Sequence, residues 1–579
     1  MAETTNRLLH LNRGTRLVVL SVLLGVIGAL GAQLFLWLLH LSEQALLGTL
    51  ADHYFLTVEA AHAAGRLPPE THYAWLIPVA TTVGGLLSGL LVYGFAPEAE
   101  GHGTDAAVRA FHQTGGWIRY RVPLVKTLAS AITIGSGGTA GREGPTAQIA
   151  AGIGSIIGSL LKLSTDERRY MVLIGMAAGL SAIFKSPLGT AIFAVEVLYS
   201  MMAFEGEALI YTLIAASVSY AVTGLFDGFA PLFILPAGIG INGPRELLWF
   251  ALLGLICGGT SALLPSIFYK LRDGFRAIRI PNHFKPAIGG LILGLMGVFL
   301  PGVLGGGYGY IQLGLQGAAG LSVGLLLLLA FGKIVAMALT IGSGGSGGVF
   351  APTLFVGVML GAALAALLHD LGIPVNEAAL AVVGMAAMFA GAARVPIAAL
   401  VMVTEMTGGY HLVAPAMLAV SISFIVQYAL TRRATYPSLY EAQVDTQAES
   451  PAHHGSMKTL ALSLLHKQGI HFDQSLCFDD LPTLAATKGI PISDSRERLY
   501  RLDIPTGSIL AGQTIGEVLP TRHSVHVVAI VRGEDEVPPK PDTVLEVGDV
   551  LLVKAEEHAI QAFRSAVEAF SQPVSDPQG

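Results

Sequence analysis

Two glycine-rich segments carry the residues in this chain best suited to handle a charged solute. Gly135 opens GSGGTAGREGPT and Gly342 opens GSGGSGGVFAPT, 342 − 135 = 207 positions apart. In each, glycines precede a proline (Pro145, Pro352) and then an apolar run, the order expected for a tight turn leading into a helix. A helix start offers unpaired N–H groups and about half a positive charge, which suits an anion. The first segment adds Glu143, a carboxylate that can itself occupy such a site. Burying a bare anion costs on the order of tens of kcal/mol, so a path for anions needs oriented dipoles of this kind. Close packing of helices through small residues explains one such segment equally well. Two in register, one with a carboxylate, favour the anion site. A phosphate-binding enzyme loop fits poorly, because no G-x-x-x-x-G-K-[ST] occurs and no strand pattern precedes the glycines.

The elements that must hold these segments are membrane spans. Charged residues make up 13% of the 579 positions and mean hydropathy is +0.62, whereas soluble chains carry about 25% charge. Residues 17–39 run without a charge, and about 20 such residues cross the hydrocarbon core. The run is too long for a signal-peptide core and lacks a small-residue cleavage site, so it reads as a retained helix. Further spans are predicted at roughly 75–95, 171–200, 208–226, 246–268, 287–304, 320–341, 353–368, 377–404 and 412–430. Glycine and proline interrupt several of them. Backbone that leaves helical geometry at membrane depth must be buried in protein or line a cavity, which fits a path better than an anchor.

Arg7, Arg13 and Arg16 precede the first span, and Arg432 and Arg433 follow the last. The positive-inside rule puts both termini in the cytosol, with the protein in a plasma (cell inner) membrane. Cys257 and Cys477 suggest neither a disulfide nor a metal site. No cofactor is implied, and no basic patch for nucleic acid stands out.

The hydrophobic pattern stops near Tyr440. Residues 1–440 are expected to form a membrane domain, 441–456 a polar linker and 457–579 a small soluble α+β domain in the cytosol. In that tail, strands are predicted at 524–533 and 544–553 and a closing amphipathic helix at 558–570. Within the membrane domain the internal match extends further. Lys126 and Lys333 share the offset of 207, and GMAAGLSAIFKSPLGTAIFAVE (175–196) parallels GMAAMFAGAARVPIAALVMVTE (384–405), where 384 − 175 = 209. Two repeats, roughly 74–225 and 286–430, mark a transporter or channel with its site at their interface. Their inverted orientation is an inference from that pattern.

GREGPT (141–146) and GGVFAPT (347–353) resemble two signature segments of the CLC family of chloride channels and proton-coupled chloride exchangers. The KSP…E and RVP…EMT segments, and PSLY at 437–440, follow in the family's order, so the resemblance covers roughly residues 15–440. It implies an all-α polytopic membrane fold of inverted repeats with half-helices, no enzymatic activity, and a homodimer with one anion path per subunit. It also implies that Glu143 is the gate. The implied anion-binding set is Gly101, His102, Gly103, Arg142, Gly144, Val349, Phe350 and Tyr440. Val349 and Phe350 would act through backbone N–H groups, and Tyr440 through its hydroxyl. Residues from about 497 to 570 are similar to the C-terminal domains of potassium-uptake regulators, which leaves room for a small ligand there.

Two departures from the family pattern matter. His102 stands where the resemblance leads one to expect a serine between two glycines. An imidazole can still donate to an anion, and flux is then expected to rise as pH falls through its range. Chloride remains the default, with nitrate or another small anion open. Fluoride is disfavoured by Pro145, which fluoride-selective relatives usually lack. The second departure is Glu196 followed by Val197, where the exchangers have two adjacent carboxylates, the second of which delivers protons. Valine carries no proton, and the same pair is typical of the family's channels. The expectation is a passive chloride channel. A proton-coupled antiporter is the alternative, and a ligand-regulated transporter with selectivity altered by His102 the second. Glu196 stays a proton-pathway candidate, although Glu196 and Glu405, at equivalent repeat positions, are better explained by capping or interhelical hydrogen bonding. Lys126 and Lys333 are structural or add positive potential along the path.

Overall fold

The computed structural model describes residues 12–64, 73–241, 243–317 and 321–452. In the C-terminal part it describes 490–491, 498–504, 508, 510–518, 525–532, 535–557 and 559–560. The chain divides into two units, Met1–Thr446 and Gln447–Gly579.

The first unit opens with α1 (Arg13–Glu43), whose N-cap Asn12 side chain accepts from the Thr15 N–H, and a short α2 (Val58–Ala64). A run of seven helices then occurs twice. The first run is α3 (Ile77–Phe95), α4 (Thr104–Gln113), α5 (Arg121–Gly135), α6 (Glu143–Leu160), α7 (Thr165–Phe184), α8 (Pro187–Glu196) and α9 (Gly206–Asp227). After α10 (Leu247–Ala277) come α11 (Lys285–Phe299), α12 (Tyr308–Leu315), α13 (Val323–Gly342), α14 (Phe350–Asp370), α15 (Glu377–Ala393), α16 (Pro396–Thr407) and α17 (Val413–Thr431). Among the described residues, seven helical runs are long and apolar enough to cross a membrane, while α8, α15 and α16 are shorter apolar helices.

Two predicted spans, 171–200 and 377–404, are each a pair of helices. Lys185 (φ +52°) ends α7 and Arg394 (φ +56°) ends α15 in the left-handed region. Pro187 and Pro396 then begin α8 and α16, because proline fits the first turn of a helix but cannot continue one. Each break creates a helix start inside the membrane unit, and each start needs a partner for its free N–H groups. The partner comes from the other repeat. Glu196, at the end of α8, accepts from the N–H of Ile397 (3.1 Å) and Ala398 (2.7 Å) at the start of α16. Glu405, on α16, accepts from the N–H of Gly189 (2.9 Å) and the hydroxyl of Ser186 (2.6 Å) at the start of α8. This exchange is the capping and interhelical bonding expected for the two carboxylates.

The repeats also meet at their glycines. Gly141 and Gly348, equivalent residues, exchange two backbone hydrogen bonds of 2.7 Å in an antiparallel bridge. Equivalent residues paired antiparallel are the local mark of a two-fold axis relating the repeats, as expected for inverted halves. Behind this bridge, each repeat has a fully buried lysine. Lys126 donates to the carbonyls of Ala99 (3.0 Å) and Gly101 (2.7 Å). Lys333 donates to those of Val303, Leu304 and Gly305 (2.9, 3.2 and 2.8 Å). Each ammonium holds the glycine turn that opens the next short helix, α4 or α12.

The polar stretch after Tyr440 begins as part of this unit. Ala442 N–H donates to Asp105 (2.7 Å), and Val444 forms a bridge with Tyr199. Ala442 to Asp445, the start of the stretch expected as a linker over 441–456, thus have partners on α4, at the end of α15 and on the turn after α8.

In the second unit, β1 (Ile490–Pro491), β2 (Arg498–Asp503), β3 (Val525–Arg532), β4 (Asp535–Val537) and β5 (Val550–Ala555) form one antiparallel sheet in the order β1-β2-β5-β3-β4. Tyr500, Ile530, Leu545, Leu551 and Val553 are in its core. The strand predicted at 544–553 starts only at Val550, because Gly548 (φ +93°) turns the chain just before it. Buried Asp549 accepts from Arg532 Nε (2.8 Å) and Nη2 (2.9 Å), a bidentate pairing that holds the guanidinium above its ordinary range. The helix predicted at 558–570 lies outside the described residues apart from 559 and 560.

Candidate anion site

The starts of α6 and α14 converge where Gly141 and Gly348 pair, so Glu143 and Phe350 open facing helices. The turn before α4 closes in from a third side. A Cβ on Gly348 would stand 2.8 Å from both Gly141 O and Gly144 N, and one on Gly144 would collide with the carbonyl of His102. Three backbones can approach this closely only because residues 144 and 348 are glycine. The turn itself is pinned by Gly101, whose N–H donates to Gly345 O (3.1 Å) and whose carbonyl accepts from Gly347 N–H (3.2 Å).

Around this junction Glu143, His102, Val349, Phe350 and Tyr440 are all buried. The backbone N–H groups of Glu143 itself and of Ala351 act on the Glu143 carboxylate. The carboxylate has therefore folded onto the helix starts, where an anion would sit. The Tyr308 hydroxyl also donates to Glu143 Oε1, while Oε2 has no hydrogen-bond partner. Two further buried polar atoms here, His102 Nδ1 and Arg142 Nε, are without one. The His102 ring lies 5.4 Å from that of Tyr440, centroid to centroid, and 6.3 Å from that of Phe268. Phe350 packs its ring on Phe389 (3.8 Å) and Phe184 (4.4 Å), which leaves its backbone to face the junction. Tyr440 is fixed by its neighbours. Leu439 donates its N–H to Ala392 O (2.9 Å), and its carbonyl accepts from the Tyr269 hydroxyl (2.8 Å).

Two cavities approach the junction and have no lining residue in common. The smaller, about 300 Å³, reaches Gly101, His102 and Gly103 and carries Arg109, Arg272 and Arg276 alongside Asp105 and Glu441. The larger, about 650 Å³, reaches Arg142, Gly306, Gly307 and Tyr308. Glu143 lies between the residues at which they end. Such an arrangement can bind an anion on preorganised N–H groups and stop it with a carboxylate.

The fold thus gathers Gly101, His102, Gly103, Arg142, Glu143, Gly144, Val349, Phe350 and Tyr440 at one place. Glu196 is not among them, since its carboxylate is committed to the start of α16. Val197 is fully buried. The residue that sequence reasoning missed is Tyr308. Its signal was the turn Gly305–Gly306–Gly307, the repeat counterpart of Gly101–His102–Gly103, with Gly103 at φ +81° and Gly307 at φ +79°. The offset there falls to 307 − 103 = 204, and the loss of three residues hides the match.

Comparison with known proteins bears on the family and the fold. Residues 84–428 match the family model described as voltage gated chloride channel, and residues 499–567 match the TrkA-C domain. A ClcB-like protein of Ralstonia nicotianae, named for a chloride channel, is 32% identical over 388 residues, which span 65% of this chain and 89% of that one. The H(+)/Cl(−) exchange transporter ClcA of Salmonella paratyphi A is 31% identical over 410 residues, 69% of this chain and 82% of that one. Among solved structures, a slow cyanobacterial Cl−/H+ antiporter superposes with a TM-score of 0.61 at 23% identity, over 73% of this chain and 97% of the other. A CLC-type fluoride/proton antiporter gives 0.60 at 22% identity, over 75% and 98%.

Proposed function

Because the chain belongs to the voltage-gated chloride channel (CLC) family, we propose that its chloride path is gated by the Glu143 carboxylate. The observation that carries this reading is the position of that carboxylate, buried at the joined starts of α6 and α14 between two cavities that share no lining residue. An anion arriving from the smaller cavity meets His102 and Tyr440, then the N–H groups of Val349 and Phe350. It advances when Glu143 leaves the helix starts, either protonated or displaced. The smaller cavity is on the cytosolic side in this reading, since Arg272 and Arg276 line it and the positive-inside rule favours that face. Both termini then lie in the cytosol. A homodimer with one path per subunit, and a small ligand for the C-terminal domain, complete the proposal.

Passive conduction is the favoured mode. Proton transfer to Glu143 from the cytosol needs a titratable group on that side. Val197 offers none, and the Glu196 carboxylate is held by two backbone N–H groups. In liposomes, the reversal potential should follow the chloride gradient and ignore an imposed proton gradient. A shift with the proton gradient would reject the channel reading.

One observation favours exchange as the second reading. Beside Val197, Tyr199 donates its hydroxyl to buried Glu205, and His112 lies against the Tyr199 ring (5.6 Å) while contacting Leu198 O (3.1 Å). A titratable group eight residues along could replace the missing one. If coupling is found, Glu205→Gln should abolish it and leave chloride flux in place.

A further inference from the structure

Tyr308 is the first residue of α12, placed at the rim of the larger cavity by Gly307. Its hydroxyl donates to Glu143 Oε1. The Arg142 guanidinium stands 4.4 Å from the centre of its ring, within cation–π range. Phe233 stacks on the same ring, with centroids 6.3 Å apart and planes 21° from parallel. Phe233 is itself held in place, because it is buried and its N–H donates to Met406 O (2.9 Å). Its neighbour Ile234 is clamped to α12 by both ends of the Gln312 amide (3.0 and 2.6 Å). The phenol is thus braced before it reaches the carboxylate.

The repeat gives this contact a counterpart. Thr104 opens α4 as Tyr308 opens α12, each after a left-handed glycine. Thr104 is the hydrogen-bonding neighbour of the Tyr440 hydroxyl. On the side of the smaller cavity, then, the phenol comes from Tyr440 and the helix start contributes a threonine. On the other side the helix start contributes the phenol itself.

We propose that Tyr308 is a positioning residue, a latch that holds Glu143 in the closed position, so that the anion path runs between two phenols, Tyr440 and Tyr308. The proposal rests on the gating role of Glu143. The groups that face that carboxylate are Arg142 from its own segment, Tyr308 from α12, Tyr440 from beyond α17 and the Ala351 N–H from α14. Lys333, on α13, is spent on three carbonyls, and Asp227 and Glu59 act on Arg142.

Chloride efflux from liposomes between pH 4.5 and 8.5 tests the latch, using wild type, Tyr308→Phe, Arg142→Gln, Glu143→Ala and the double variant Tyr308→Phe/Glu143→Ala. A hydrogen bond to an ionised carboxylate favours that form. Tyr308→Phe should therefore raise efflux at pH 7.5 about threefold or more and move half-activation about one unit to higher pH. Arg142→Gln, which reaches the same carboxylate from its own segment, should move the profile in the same direction. In the Glu143→Ala background Tyr308→Phe should change nothing. A Tyr308→Phe profile that superimposes on wild type, or an equal change in both backgrounds, would overturn the latch while Glu143→Ala efflux is insensitive to pH. If Glu143→Ala keeps the wild-type pH dependence, the gating role falls and the latch with it.

Discussion

The two repeats share a scaffold almost group for group and differ where the anion passes. Both bury a lysine that holds a glycine turn, both lend a carboxylate to cap the other's short helix, and both start a helix at the central bridge. Against that common frame, Arg142 and Glu143 stand opposite Val349 and Phe350, and His102 opposite Gly306. The shared groups are those that bring helix dipoles together. In the proposed reading the unshared ones supply the gate, Glu143, from one repeat only. Symmetry brings the helix starts together, and its local loss sets the carboxylate among them.

Removing the largest asymmetry should have the largest effect. Glu143→Ala, with an apolar first turn as in α14, should raise chloride flux at pH 7.5 by about tenfold or more and flatten its pH dependence, as read by efflux from liposomes. Flux that stays low would mean the barrier lies elsewhere.

The shared caps offer a sharper comparison. Glu196 is fully buried whereas Glu405 is partly exposed. Hydrogen bonds to a buried charge contribute about 1.5–3 kcal/mol, so Glu196→Gln should cost about 2 kcal/mol in detergent unfolding and Glu405→Gln about half that. Equal losses would contradict the difference in burial. A changed reversal potential with intact stability would return Glu196 to a proton path.

His102→Ser should have a smaller consequence. The chloride-to-nitrate permeability ratio should change by about threefold, on the order of one modest hydrogen bond, while the acid-side rise in flux should remain, because burial and the nearby Lys126, Arg109 and Arg272 disfavour a charged imidazole and leave that rise to Glu143. An unchanged selectivity would show that only Gly101 and Gly103 matter in that turn.

Truncation after Thr446 should have the least effect, because residues 441–445 have their partners within the membrane unit, which ends at Thr446. Flux and its pH profile should match the full chain. A large change would assign the C-terminal domain a direct role in the gate.

Much of this was legible in the chain itself. Low charge, long apolar runs and two glycine segments 207 positions apart specify a membrane protein with two related halves, because hydrocarbon selects helices and an anion selects helix starts. Lys126 and Lys333, and Glu196 and Glu405, could be paired from the offset alone. Their partners could not. A lysine bonded to carbonyls 25 positions upstream, or a carboxylate capping a helix 201 positions away, leaves no local pattern. The breaks at Lys185 and Arg394 were hidden for a similar reason, since apolar composition continues across them while the backbone reverses hand.

Charge, dielectric and helix geometry, all readable along the chain, point to an anion as the solute and to helix starts as the groups suited to it. The packing of the folded chain set which groups meet. It joined Gly141 to Gly348 and set Tyr440 beside His102. It brought the Tyr308 hydroxyl to Glu143 across 165 positions of chain, a contact fixed by packing between two inverted halves and by nothing in either segment alone.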